Sequence, residues 1–332
     1  MSNEHYNDHT DAADEPFDTQ KLQTIVKKAQ RKSLLRTAIT STVVFFAAAI
    51  LLFIGYIIIR NTLNEQGYHA LASREHLKKI SGPNTYIISA QFQPRLFKGE
   101  MEYMLVKKME DRIIPWGTVN MEYSIFGTMS KRFGSHEDVQ IYESNGTSRV
   151  FNKQTGEREL LFYHPSLPYT SIINDLTVLP AIPNDKYIEI GLSFDKSYAL
   201  EEVERLLPDE VHVTWYWVNT MDAEELAGFH DDQQPLRAET SYGFDRYRDG
   251  LTANDPAQKQ TEEDFIRFVK TAIEQKDYYI SEYQRIYNAI EKNKKDGLII
   301  GAVVTGTRES LLTLKNQPFI RAAVLGATVD QF

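Results

Sequence analysis

The stretch Thr37-TAITSTVVFFAAAILLFIGYIII-Ile59 decides how this chain is organised. Its 23 residues carry no charge and no proline, and only one glycine, Gly55. As a helix rising about 1.5 Å per residue it reaches about 34 Å, enough to cross the hydrocarbon core of a bilayer. A buried helix of a soluble domain is usually shorter and keeps a polar stripe, so the segment reads as a membrane span. The chain on either side is very unequal in length.

The flanks orient the span. Lys21, Lys27, Lys28, Arg31, Lys32 and Arg36 precede it without an intervening acid. The first residues beyond it hold only Arg60, Arg74, Lys78 and Lys79, offset in part by Glu65 and Glu75. Positive charge concentrates on the cytoplasmic side of membrane spans, which predicts residues 1–36 inside and the carboxy terminus outside. An A-x-A sequence at Ala70–Ala72 raises the possibility of a cleaved signal peptide. It lies too far beyond the apolar core, which is itself too long for such a peptide, so an uncleaved anchor is expected.

Composition follows the same division. The chain has 37 Lys+Arg against 46 Asp+Glu, a net charge of −9. Residues 1–59 hold six charges of each sign, so the acidic excess falls entirely beyond the anchor. An acidic ectodomain is a poor match for a polyanion, and no nucleic-acid partner is expected. Cysteine is absent, which suits a bacterial envelope protein stabilised by packing alone.

Residues 1–20 contain six acids, no base, and only Tyr6 and Phe17 as large apolar groups; they read as a solvated tail. Next comes an amphipathic helix. Leu22, Ile25, Val26 and Ala29 recur at helical spacing, with Lys27, Lys28, Arg31 and Lys32 on the opposite face. Such a segment suits either anionic lipid headgroups or a cytoplasmic protein, and these eight residues are the candidate partner-binding set.

Beyond the anchor, residues 60–83 read as a weakly helical stalk ending at Ser81-Gly-Pro-Asn84. Short alternating runs follow: TYIISAQF from Thr85, MEYMLVKK from Met101, TVNMEYSIF from Thr118, VQIYES from Val139, SRVFN from Ser148 and ELLFYH from Glu159. They predict a mostly antiparallel β domain over 84–182. Asn145-Gly146-Thr147 matches a glycosylation acceptor but reads more simply as a hairpin turn.

From residue 183 strands alternate with helices. YIEIGLSF, EVHVTWYWVNT, LIIGAVVT and FIRAAVLGATV are the expected strands. Expected helices cover Tyr198–Leu207 and Arg308–Leu314, and one long helix runs from Thr261 to the lysines at 292–295, with Ile266, Ile273, Ile280 and Tyr287 at heptad spacing. Two β-α-β units with right-handed crossovers predict a ferredoxin-like α/β domain with an extra helix. The fold class expected is therefore α+β: one transmembrane helix, a β domain and a ferredoxin-like domain. A boundary between the last two is expected at Leu179–Asp185, where two prolines interrupt the pattern.

No metal, nucleophile or phosphate-loop motif stands out, so no cofactor, catalytic residue or enzymatic activity is expected. One local candidate for an anion or ligand contact is the strand–turn–helix junction at Gly306, Thr307 and Arg308, although Thr307 capping the helix and Gly306 making the turn is the simpler reading of the same residues.

The runs KKAQRKSLLRTAITS (27–41), IEIGLSFDKSYALEEVERLLPDEVHVTWYWVNT (188–220) and GAVVTGTRESLLTLKNQPFIRAAVLGATVDQF (301–332) resemble the sigma factor regulator family of Gram-positive bacteria. The resemblance implies a membrane-anchored anti-sigma factor restraining an extracytoplasmic-function sigma factor, directly or through a small membrane partner. The ectodomain would then sense an envelope condition through an unidentified ligand. The chain lacks the HxxxCxxC pattern of zinc-type anti-sigma domains. An envelope binding or scaffolding module, whose tail only anchors it, is the alternative from a different class.

Overall fold

The computed structural model describes residues 19–133, 139–144, 147–229, 234–248 and 257–332. The acidic tail at 1–18 and the Asn145-Gly146 turn lie outside the described residues. By its contacts the chain forms two compact units, Met1–Ile59 and Arg60–Phe332.

Helix α1 covers Thr19–Lys78. No proline interrupts those residues, and the hydroxyls of Thr24, Thr37 and Thr40 bond back to carbonyls four residues earlier. From residue 19 to 59 its side chains are exposed or nearly so, and it contains a window long and apolar enough to cross a membrane once. Of the range expected as a stalk, 60–83, residues 60–78 continue the helix and are packed. Leu63, Gly67, Ala70 and Ser73 are buried at spacings of four, three and three, one stripe of a helix. Gly67 lets a sheet approach closely: a Cβ there would meet the Tyr123 ring at 2.9 Å and the Phe92 ring at 3.1 Å.

The packed face meets an antiparallel meander of β1 (Thr85–Pro94), β2 (Lys98–Met109), β3 (Arg112–Ser124) and β4 (Met129–Phe133). Met101 pairs with Met121 and Tyr103 with Val119, so the inward side chains of β2 and β3 join Leu63 and Ala70 in one core. A hairpin of β5 (Val139–Ser144) and β6 (Thr147–Asn152) follows, then the two-residue strand β7 (Leu161–Phe162).

The carboxy-terminal region contains β8 (Lys186–Tyr198), α2 (Leu200–Leu206), β9 (His212–Val218), α3 (Ala223–Phe229), β10 (Leu236–Arg237), β11 (Gly243–Asp245), β12 (Tyr247–Arg248) and β13 (Gln258–Lys259). After them come α4 (Glu262–Glu274), α5 (Ile280–Asn293), β14 (Ile299–Gly306), α6 (Arg308–Leu312) and β15 (Ile320–Asp330). Its main sheet has the order β11-β9-β14-β8-β15, with every neighbour antiparallel. Omitting the short edge β11, the two β-α-β units β8-α2-β9 and β14-α6-β15 interlock as the ferredoxin-like order requires. The expected α+β class holds.

Both faces of this sheet are covered, which explains why β9 reads as an almost unbroken apolar run. Tyr216 joins Phe244, Phe265, Tyr283 and Ile286 in the cluster that also contains helix residues. Trp215 and Trp217 face the other way, and Phe162 of β7 stacks on Trp217 at 4.6 Å.

The single long helix expected over 261–295 is instead two. Thr261 opens α4 with a reciprocal capping box to Asp264, as its position suggested. The helix then stops because Lys276 takes a left-handed conformation, φ 53°, and Asp277 turns its carboxylate to the Tyr279 amide at 3.0 Å. The heptad pattern continues across this break, so periodicity alone concealed it.

The ranges 84–182 and 183–332 contribute separate major sheets, but β7 pairs with β10 across the expected boundary. They also share the Phe162–Trp217 stack and a buried ion pair described next.

Candidate functional site: the basic helix segment and a buried charge cluster

All eight residues of the candidate partner-binding set lie on α1, and all are exposed. Leu22, Ile25, Val26 and Ala29 leave an apolar stripe open along about two turns, with Lys27, Lys28, Arg31 and Lys32 beside it. A helix of this kind can lay its apolar face in a groove or on a lipid surface while its cations meet acidic groups.

The junction at Gly306, Thr307 and Arg308 is occupied locally. Thr307 accepts a hydrogen bond from the Ser310 amide at 3.3 Å and so caps α6. Arg308 directs its guanidinium to the Ile182 carbonyl at 3.1 Å. The structure therefore places these three residues together, with the Thr307 hydroxyl oxygen and the Arg308 guanidinium engaged by the chain itself.

The larger arrangement was not evident from the sequence. The last turns of α1 carry Arg74, His76 and Lys78 into residues far away along the chain. Arg74 donates to the hydroxyls of Tyr103 (3.1 Å) and Tyr279 (3.0 Å), and His76 Nδ1 lies 3.0 Å from Asp277 Oδ2. Lys78, buried, donates to Thr85 Oγ1 at 2.7 Å and to Glu239 Oε1 at 2.6 Å. Burial pushes the Lys78 pKa down, against the pull of Glu239.

A second buried pair lies beside this one. Lys107 of β2 donates to both oxygens of Glu189 on β8, at 2.9 and 2.7 Å, and Glu189 is wholly inaccessible. Asn84 donates to the same carboxylate at 2.8 Å, the Ala327 amide does so at 3.3 Å, and the Lys107 ammonium sits 4.2 Å from the centroid of the Trp116 ring. Glu189 thus receives partners from three segments, which is what a buried carboxylate requires.

Glu159 completes the cluster, and Asn152 donates to it at 3.4 Å. Burial pushes its pKa up to about 7, Lys107 opposes the rise, and Glu239 adds to it. Near neutral pH this carboxyl can take up or release one proton. The cluster therefore fastens residues 74–78 of α1 to the meander, to Glu239 and to the turn between α4 and α5.

A cavity of about 400 Å³ adjoins α1 and is lined by Gln66, His69, Ser73, His76, Asp277 and Tyr278, among others. Tyr278 braces its rim by hydrogen bonds in both directions with Met129, 3.2 and 3.3 Å. Elsewhere His164 is buried, bonded to Asn219 at 3.2 Å, and driven by burial to a pKa of about 4; it is a neutral structural residue. Among the described residues no group of three or more His, Asp or Glu side chains could hold a metal ion.

Sequence could have hinted at the joint through one feature, the run of small or buried positions Gly67, Ala70 and Ser73 preceding Arg74 and Lys78 on α1. The partners of those residues lie as far as 205 positions away and leave no local mark.

Comparison with known proteins adds two matches. Residues 23–114 match the family model described as sigma factor regulator N-terminal, and residues 179–327 match the one described as sigma factor regulator C-terminal. No curated protein and no solved structure matches the chain.

Proposed function

From the premise that this chain belongs to the sigma factor regulator family, we propose that it is a single-pass anti-sigma factor acting on an extracytoplasmic-function sigma factor. A role in regulating a sigma factor follows from the family. The finer reading is that the exposed segment 21–36 is cytoplasmic and grips the sigma factor, while residues 60–332 lie outside and respond to the envelope. The observation that carries it is the open stripe of Leu22, Ile25, Val26 and Ala29, placed just before the span, with all but Leu22 inside the amino-terminal family match. The six bases preceding the span support the cytoplasmic placement. Anionic headgroups are a second surface for the same cations, and alternation between lipid and protein would make the segment a switch.

Two large aliphatic side chains buried in a partner contribute about 1.5–3 kcal/mol each, so losing Ile25 and Val26 weakens the grip about a hundredfold or more. Ile25→Asp combined with Val26→Asp should therefore switch on a reporter driven by the regulated promoter. In the same cells, blotting should find normal levels in the membrane, and protease added to intact protoplasts should digest residues 60–332. An unchanged reporter at normal level would overturn the anti-sigma reading and leave the anchored envelope module. Protection of 60–332 would overturn the orientation.

A further inference from the structure

Three of the large apolar residues that the meander exposes lie at one end of it, whereas Ile88, Met104 and Ile113 are exposed singly elsewhere. Leu96 and Phe97, in the β1–β2 turn, are 54% and 51% exposed, and Phe126, in the β3–β4 turn, is 84% exposed. The two turns are joined, since the Ile125 amide donates to the Phe97 carbonyl at 3.1 Å. Tyr68 of α1, 66% exposed, rests on the Phe92 ring at 5.1 Å. Gly127, next to Phe126, lies against Gln66: a Cβ on it would come 3.2 Å from Gln66 Oε1. Both turns therefore flank α1 near positions 66–68.

That level is close to the end of the apolar span. Gln66 is only seven residues past Ile59 along the chain, and Leu63, four residues past it, is already wholly buried by the folded part. The headgroup layer extends roughly 5–8 Å beyond the hydrocarbon core on each side. Single exposed apolar residues are ordinary on any protein surface, but three on two joined turns, with a tyrosine beside them, form a patch. Aromatic residues at this depth favour the membrane–water interface, where the ring is apolar on one side and wet on the other.

We propose that Leu96, Phe97 and Phe126, with Tyr68, insert into the lipid–water interface of the membrane that α1 crosses, so that the meander rests on the bilayer. The occupant is lipid because the chain is tethered to it within seven residues, which fixes a high effective concentration. Arg95 and Lys98 flank the first turn; they pair with Glu100 at 2.8 Å and Glu122 at 2.6 Å, leaving insertion to the apolar side chains.

The test uses the full chain reconstituted in phosphatidylcholine vesicles with bromine on shallow acyl positions. Phe126→Trp and, separately, Phe97→Trp should each lose roughly half of the emission from the added indole. Ile113→Trp, exposed at the opposite end of the meander, should keep its emission, and the three native tryptophans, buried in the folded part, report correct folding. Unquenched emission from both turn variants in folded protein overturns the proposal, whether water, a second copy or another protein surrounds them. The result does not depend on the transcriptional role.

Discussion

Residues 19–59 and residues 60–78 belong to one helix, yet they meet opposite demands. The first part is exposed or nearly so throughout, with an apolar composition over 37–59 that has no favoured side. The second buries a narrow stripe of Leu63, Gly67, Ala70 and Ser73 and turns Arg74 and Lys78 into a protein interior. Lipid solvates a helix evenly and asks only for apolar side chains, whereas a sheet surface asks for small residues at fixed spacing. The difference shows that membrane affinity and tertiary affinity can be written into successive turns of the same rod.

Removing one partner of the buried pairs should sharpen that contrast most. Lys107→Met leaves the Glu189 carboxylate uncompensated in an inaccessible site and should destabilise residues 60–332 by about 3–5 kcal/mol, read by denaturant titration of the detergent-solubilised chain. Membrane insertion should be untouched. Adding Glu189→Met should recover much of the loss; a double variant as unstable as the single one would show that Lys107 acts through packing on Trp116 instead.

A smaller effect comes from Glu159. Its native pKa of about 7 exceeds its usual 4.5, so between these values the folded chain holds a proton that the unfolded chain releases. Stability is therefore greatest on the acid side of this window and falls as pH rises through it, by on the order of 3 kcal/mol. Glu262, pushed by burial to about 7 as well, adds a fall in the same direction. Glu159→Gln should flatten the thermal midpoint against pH by its own share, and an unaltered profile would remove Glu159 from the account.

Smallest is the cap at Thr307. Thr307→Ala should cost about 1 kcal/mol through loss of the bond to the Ser310 amide, with no change in the exposed stripe at 22–29. A much larger loss in thermal melting would indicate that the Gly306–Arg308 turn serves more than α6.

The span, the α+β class and the longer strands of both large sheets were readable in the sequence, because absence of charge and alternation by two are local signals; the short edge strands β4 and β11 were not anticipated. Thr261 was readable for the same reason, since its capping box is written within four residues. The break between α4 and α5 was hidden because Ile273 and Ile280 keep heptad spacing across Lys276, while the turn is secured from outside by His76 on Asp277. The charge cluster was hidden more deeply. In MEYMLVKK, Lys107 and Lys108 look alike, but the first points to Glu189, 82 positions onward. Of the candidate sites, the stripe at 22–29 was legible because it is a property of one helix, whereas the joint at Arg74, Lys78, Lys107 and Glu159 exists only after four segments meet.

The strand order also sets a sequence of events in time. β8 lies between β14 and β15, yet it is synthesised more than a hundred residues before either. Until residue 299 emerges, β8 has neither neighbour of the main sheet, and until residue 320 it keeps one open edge. Folding of the carboxy-terminal core is thereby deferred to the end of translation and made slow by its long loop closures. A prematurely terminated chain would present a bare apolar strand to proteases and chaperones instead of a half-built core.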